Sequence, residues 1–208
     1  MALKNMLLAM IEIQPRTGYE LSKVCEHVLS NFWTADQRQV YHALDKMEGD
    51  GWISAEVIIQ ESAPNKKVYS ITTQGMEALE RWLTTWQPPQ PVRREALAQI
   101  FFGGLVPPDA LGDLMAGWRE SLEARRTSLR GHLADYERIL AHPPARDWGW
   151  LFSLRMMMFR YVVAQLNLER QWLEETGQLL DIIREHARDD MQPAQEMLRS
   201  LLEDFDEA

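Results

Sequence analysis

Three prolines lie within five residues at QPPQP, positions 87–91. Proline fixes φ and lacks the amide hydrogen, so neither a helix nor an inner strand runs through such a stretch. The chain of 208 residues therefore reads as two regions, 1–86 and 92–208. An apolar fraction of 46% with 25% charged residues suits packed units and excludes a disordered, collagen-like or disulfide-framed chain. The single cysteine, Cys25, cannot form an internal disulfide, which suits a reducing cytoplasm.

Periodicity assigns the first region. Leu3, Leu7, Met10 and Ile11 mark a helix over 3–12 that Pro15 ends. After a hinge at Thr17-Gly18, a second helix over 19–30 carries Leu21, Val24, Cys25, Val28 and Leu29 on one face. A third, over 36–48, is capped by Thr34 or Asp36 and stopped by Gly49-Asp50-Gly51. The period then becomes extended: 52–60 and 67–72 read as a hairpin with a polar tip, ESAPNKK. A helix from Thr73 follows.

The second region reads as all helical, with a short helix at 93–102, long ones over 109–140 and 148–187, and a last one over 193–205. The first long helix would reach roughly 48 Å at the usual rise per residue. A helix longer than its own domain needs a partner for its far half, which points to a homodimer through residues 109–190. The expected fold class is mainly α: an N-terminal helix-turn-helix with a two-stranded β wing, then a C-terminal long-helix dimerisation domain.

The third helix has a narrow apolar stripe, Val40, Leu44 and Met47, so most of its surface is free to face something else. Gln37, Arg38 and Gln39 suit base edges in a major groove, and Tyr41 and His42 lie on the same surface. Tyr41 is equally suited to packing. Lys46 suits a phosphate but can also pair with Asp50 one turn on. At the hairpin tip, Asn65, Lys66 and Lys67 suit phosphate contact. Double-stranded DNA is therefore the expected partner. The net charge of −9, of which −3 falls in the first region, excludes a general polyanion binder without excluding a local DNA-facing patch.

In the second region Trp118, Trp148, Phe152, Arg155, Met156 and Phe159 could line an adaptable pocket, with Arg155 or Arg160 pairing an effector carboxylate. Core and dimer-seam packing is the competing reading of the same side chains. The five histidines and Cys25 show no metal-ligand spacing, and no phosphate loop or catalytic constellation stands out. No metal, cofactor or enzymatic activity is expected. The longest uncharged stretch, 96–108, is too short to span a bilayer, and the start contains Glu12 and no small-x-small cleavage site, so neither a membrane partner nor a targeting segment is expected.

The ordered set GYELSKVCEHVLSNFW, QVYHALDKMEGDGWI and KKVYSITTQGMEALERW closely resembles the PadR family of bacterial transcriptional regulators. The likeness covers about residues 3–86, and the helical second region, with QIFFGGL, resembles the subfamily with a large C-terminal helical domain. The resemblance implies a homodimeric winged-helix DNA-binding protein, usually a repressor, whose C-terminal helices interlock and whose small aromatic or hydrophobic effector releases DNA. This sequence departs from that expectation in having only Arg38 and Lys46 as cations on its third helix. Two alternatives stay open: a winged helix used for protein–protein contact, and a DNA-binding activator.

Overall fold

The computed structural model describes residues 2–27, 33, 35–59, 65–88, 94–141, 148–185 and 190–206. The chain forms two compact units, Met1–Pro91 and Val92–Ala208.

The first unit runs α1 (Ala2–Ile13), β1 (Arg16–Thr17), α2 (Gly18–His27), α3 (Gln37–Gly49), β2 (Ile53–Ile58), β3 (Lys66–Ile71) and α4 (Thr73–Thr84). The hairpin β2–β3 is antiparallel, with Ile53 opposite Ile71 and Ile58 opposite Lys66. The two-residue strand β1 pairs antiparallel with β3 and makes it the middle strand, order β1-β3-β2. The Thr17-Gly18 hinge is thus both strand and helix start. Thr17 Oγ1 accepts from the Glu20 amide at 3.2 Å while the Glu20 carboxylate accepts from the Thr17 amide at 2.7 Å, a reciprocal cap on α2. Those bonds hold the Glu20 carboxyl below its ordinary pKa.

The core joins Leu7, Leu8 and Ile11 of α1 to Leu21 and Cys25 of α2, the α3 stripe, Ile53, Tyr69 and Leu79. Cys25 is buried, and burial pushes its thiol pKa up, as for an inert core thiol. The expected α2 face is described as far as Cys25; Val28 and Leu29, like Thr34, lie outside the described residues. Gly75 is where α4 passes closest to the sheet. A Cβ there would stand 2.0 Å from the Trp52 carbonyl oxygen, which already accepts from the Thr72 amide at 3.1 Å.

The second unit holds α5 (Glu95–Phe101), a 3-10 turn (Gly103–Leu105), α6 (Pro108–Ala141), α7 (Gly149–Glu185) and α8 (Gln192–Asp206). Helices α6 and α7 are antiparallel: Trp118 meets Trp172 near one end and Tyr136 meets Phe152 near the other. Their buried residues recur every seven positions, Met115, Leu122, Leu129 and Tyr136 against Phe152, Phe159, Leu166 and Leu173. That is the seam of an antiparallel coiled-coil hairpin. A second row on α7, Val162 and Glu169, completes the three-four spacing, so a carboxylate occupies a seam position.

Candidate nucleic-acid interface

Helix α3 is held at both ends. The Asp36 carboxylate accepts from the Gln39 amide at 2.7 Å, and Gln39 Oε1 accepts from the Asp36 amide at 3.0 Å, a complete capping box. At the other end Gly51 takes φ +72°, the left-handed conformation in which a side chain is strained. Val40, Ala43, Leu44 and Met47 bury one stripe.

Gln37, Arg38, Tyr41, His42 and Lys46 are exposed on the remaining surface. Among the described residues the side chains of Gln37, Arg38, His42 and Lys46 make no hydrogen bond or ion pair. Tyr41 is 38% exposed and packs its ring edge against Gly18 at the start of α2; a Cβ there would stand 2.7 Å from it. Its ring thus bridges the two helices of the helix-turn-helix while part of it faces outward. Gln39 is exposed too, but its amide oxygen belongs to the cap.

Lys46 does not pair with Asp50. Asp50 has left the helix as its C-cap and bonds Lys4 of α1 at 2.8 Å, with the Lys4 ammonium also 5.1 Å from the Trp52 ring. At the wing, Asn65 just before β3 and Lys66 at its first position are exposed. Lys67 donates to the Glu48 carboxylate of α3 at 2.6 Å and lies 5.4 Å from the Tyr69 ring. The bond to Glu48 raises the Lys67 pKa, so this cation is already matched by a carboxylate.

The six residues expected around an effector fall in two places. Trp148, Phe152, Arg155, Met156 and Phe159 lie on or beside the start of α7, where Tyr136 stands 6.0 Å from Phe152 and 5.1 Å from Phe159. The Arg155 guanidinium lies 5.7 Å from the Phe152 ring and 3.5 Å from the Tyr136 hydroxyl. Phe152 and Phe159 are buried seam residues. Trp118 belongs elsewhere: its indole N–H donates to Glu169 at 2.6 Å. Glu169 is 6% exposed, and Arg125 at 3.2 Å and Arg94 at 3.6 Å also reach it. Nothing in the apolar periodicity singles out Glu169; a carboxylate three residues after Leu166 and four before Leu173, both apolar seam positions, is the signal that finds it.

A three-stranded sheet with a helix-turn-helix beside it and an exposed polar third helix is the winged helix-turn-helix arrangement. Residues 7–81 match the transcriptional regulator PadR-like family, and residues 92–181 match the virulence activator alpha C-terminal family. The chain carries a PadR-like transcriptional regulator domain. This PadR-like regulator is 29% identical to a probable transcriptional regulator of Mycobacterium tuberculosis over 187 residues, 86% of this chain and 98% of that one. It is 26% identical to the negative transcriptional regulator PadR of Bacillus subtilis over 190 residues, 86% of this chain and 97% of that one. The crystal structure of B. subtilis PadR with operator DNA shares its fold at a TM-score of 0.71 and 24% identity, covering 86% of this chain and 99% of that one. A structure of the same protein with p-coumaric acid gives 0.65 and 22%, covering 86% and 94%. The PadR-like chain is thus a transcriptional regulator, from a family of regulators and not of enzymes. No helix of its described residues is long and apolar enough to cross a membrane.

Proposed function

We propose that this regulator is a cytoplasmic, homodimeric repressor that reads a palindromic operator with α3 and releases it when a small aromatic or hydrophobic molecule binds its helical unit. The observation that carries the DNA-reading part is the outward face of α3. Gln37, Arg38 and His42 are exposed there, their side chains without partners among the described residues, on a helix capped at both ends. A major groove satisfies such amide, guanidinium and imidazole groups. Lys66 is placed at the wing for a phosphate, and Lys67 becomes available only by leaving Glu48.

Several observations support the remaining parts. Two heads related by a twofold axis match half-sites of opposite sense. The exposed apolar side chains of α7, Trp150, Leu154, Met157 and Tyr161, suit the second copy. B. subtilis PadR is named a negative regulator, and its p-coumaric acid complex supports an aromatic effector class. The cluster of Tyr136, Phe152, Phe159 and Arg155 has the chemistry for one, aromatic faces beside a guanidinium.

The test is fluorescence anisotropy on the DNA upstream of the chain's own gene over a salt series. Saturable, competitor-resistant binding that Arg38→Ala weakens several-fold or more, with a shallower salt slope for Lys66→Ala, is expected. Absence of specific binding there and in a genome-wide selection of bound fragments would overturn the reading. A reporter that loses expression on deletion of the regulator would make it an activator.

A further inference from the structure

The match to the C-terminal family ends at residue 181, and helix α8 (Gln192–Asp206) lies beyond it. The helix and the C-terminal part of α7 line an open cleft of about 500 Å³, within the range of small-molecule sites. The cleft has apolar walls, with Trp172 on the α7 side and Met197 and Leu201 on the α8 side. Leu201 is 63% exposed, so the helix leaves apolar surface along the opening.

Among the described residues, the cleft is lined by the acidic Glu175 from α7 and Glu196 and Asp204 from α8, and by no Lys or Arg. Glu175 accepts from the Gln171 amide at 2.8 Å and Glu196 from the Gln192 amide at 3.0 Å, neutral partners that leave the charge uncompensated. Among the described residues none of the three carboxylates forms an ion pair, although neighbouring Asp181 and Glu174 both do. Nor do described acidic residues converge on a point where a metal ion could sit. The complement of such a cleft is an extended organic cation, with an apolar or aromatic body against Met197, Leu201 and the Trp172 ring and a positive group at the acidic rim.

We infer that the α7–α8 cleft is a binding site for small lipophilic cations, with Trp172, Met197 and Leu201 holding the body and Glu175, Glu196 and Asp204 holding the charge. Trp172 also packs on Trp118, ring centroids 5.0 Å apart, and Trp118 donates to Glu169, so an occupant would touch the α6–α7 seam through one indole.

The test titrates the full chain, free of DNA, into rhodamine 6G and, separately, into anionic fluorescein, reading polarisation. Its outcome does not depend on operator binding, so failure here leaves the DNA-reading proposal standing. Saturable binding of rhodamine 6G is expected, at least tenfold tighter than fluorescein. The variant Glu196→Gln/Asp204→Asn, which changes only exposed side chains, should weaken it tenfold or more with an unchanged melting temperature, and Leu201→Lys should do the same. Equal binding of the two dyes, equal binding by the charge variant, or no rhodamine binding by the parent chain would each overturn the site.

Discussion

Lys67 of the wing and Glu48 of the third helix are joined by a 2.6 Å ion pair. In the proposed mode of DNA reading, a cation of the wing is thereby occupied by a carboxylate of α3. Both side chains are more than a third exposed, so the pair adds little stability, about 0–1 kcal/mol. Its larger effect falls on binding, since a phosphate must displace Glu48 to reach Lys67. Glu48→Gln should tighten operator binding several-fold and steepen the salt dependence by about one unit of slope. The check is anisotropy at several salt concentrations; weaker binding by the variant would show that the pair positions the wing instead of masking it.

The capping box separates two neighbouring glutamines that look alike in sequence. Gln39 spends its amide oxygen on the Asp36 amide, while Gln37 is exposed and unbonded among the described residues. Asp36→Ala should cost about 0.5–2 kcal/mol of stability, and Gln39→Ala a smaller part of that. Gln37→Ala and Arg38→Ala should leave the melting temperature unchanged and weaken operator binding, Arg38→Ala by about 1–3 kcal/mol, roughly 5- to 150-fold. Thermal melts beside DNA titrations check this, and a melting change for Gln37→Ala equal to that of Gln39→Ala would contradict it.

The helices and the hairpin were legible because each repeats a pattern. Val40, Leu44 and Met47 show the buried side of α3 from spacing alone, and Asp36 is placed as a cap by position. Strand β1 was not legible: two residues, Arg16 and Thr17, carry no period, and only pairing with Tyr69 and Val68 makes them a strand. The Lys46–Asp50 pair failed for a tertiary reason, since the chain turns at Asp50 and brings it to Lys4, a residue 46 positions away. Glu169 was hidden because a carboxylate reads as solvent-facing until Trp118 is known to lie opposite it. Trp118 was drawn into one group with Phe152 by side-chain chemistry, whereas the antiparallel course of α6 and α7 sends them towards opposite ends.

Gly75 is the most tightly enclosed of the described glycines of the first unit. An added Cβ would stand 2.0 Å from the Trp52 carbonyl oxygen and 2.9 Å from Ile71, and backbone atoms cannot step aside as a flexible side chain could. Gly75→Ala should therefore destabilise this unit by about 2–4 kcal/mol through displacement of α4 from the sheet. Urea unfolding of the full chain measures it, and a loss under about 0.5 kcal/mol, the level of an ordinary surface change, would mean the contact relaxes freely.

Acid should loosen the junction of β1 and α2 through Glu20. The Thr17 amide and then the Thr17 hydroxyl bond its carboxylate and lower its pKa from 4.5. A carboxyl whose folded pKa lies below its unfolded value contributes stability above the unfolded pKa and loses it as pH falls through the folded one. Glu20→Gln should accordingly be less stable than the parent at pH 7, with the difference shrinking below about pH 4.5. Denaturant titrations at a series of pH values test this; a gap that stays constant into acid would assign the loss to packing.

Glu169 tests the second unit. It is a carboxylate at a seam position, accepting from the Trp118 indole at 2.6 Å, with Arg125 and Arg94 close by. Both arginines are more than a third exposed and keep their water when the carboxylate is removed, so the penalty concentrates on the half-buried indole N–H. Glu169→Ala should cost about 1–3 kcal/mol from that orphaned donor, plus the cavity the shorter side chain leaves. Glu169→Gln keeps an acceptor and should cost less. In the double variant Trp118→Phe/Glu169→Leu donor and acceptor disappear together, so its loss should be smaller than the sum of the two single losses. Additive losses would show that the pair acts only by filling space, and the seam would then owe its register to the apolar heptads alone.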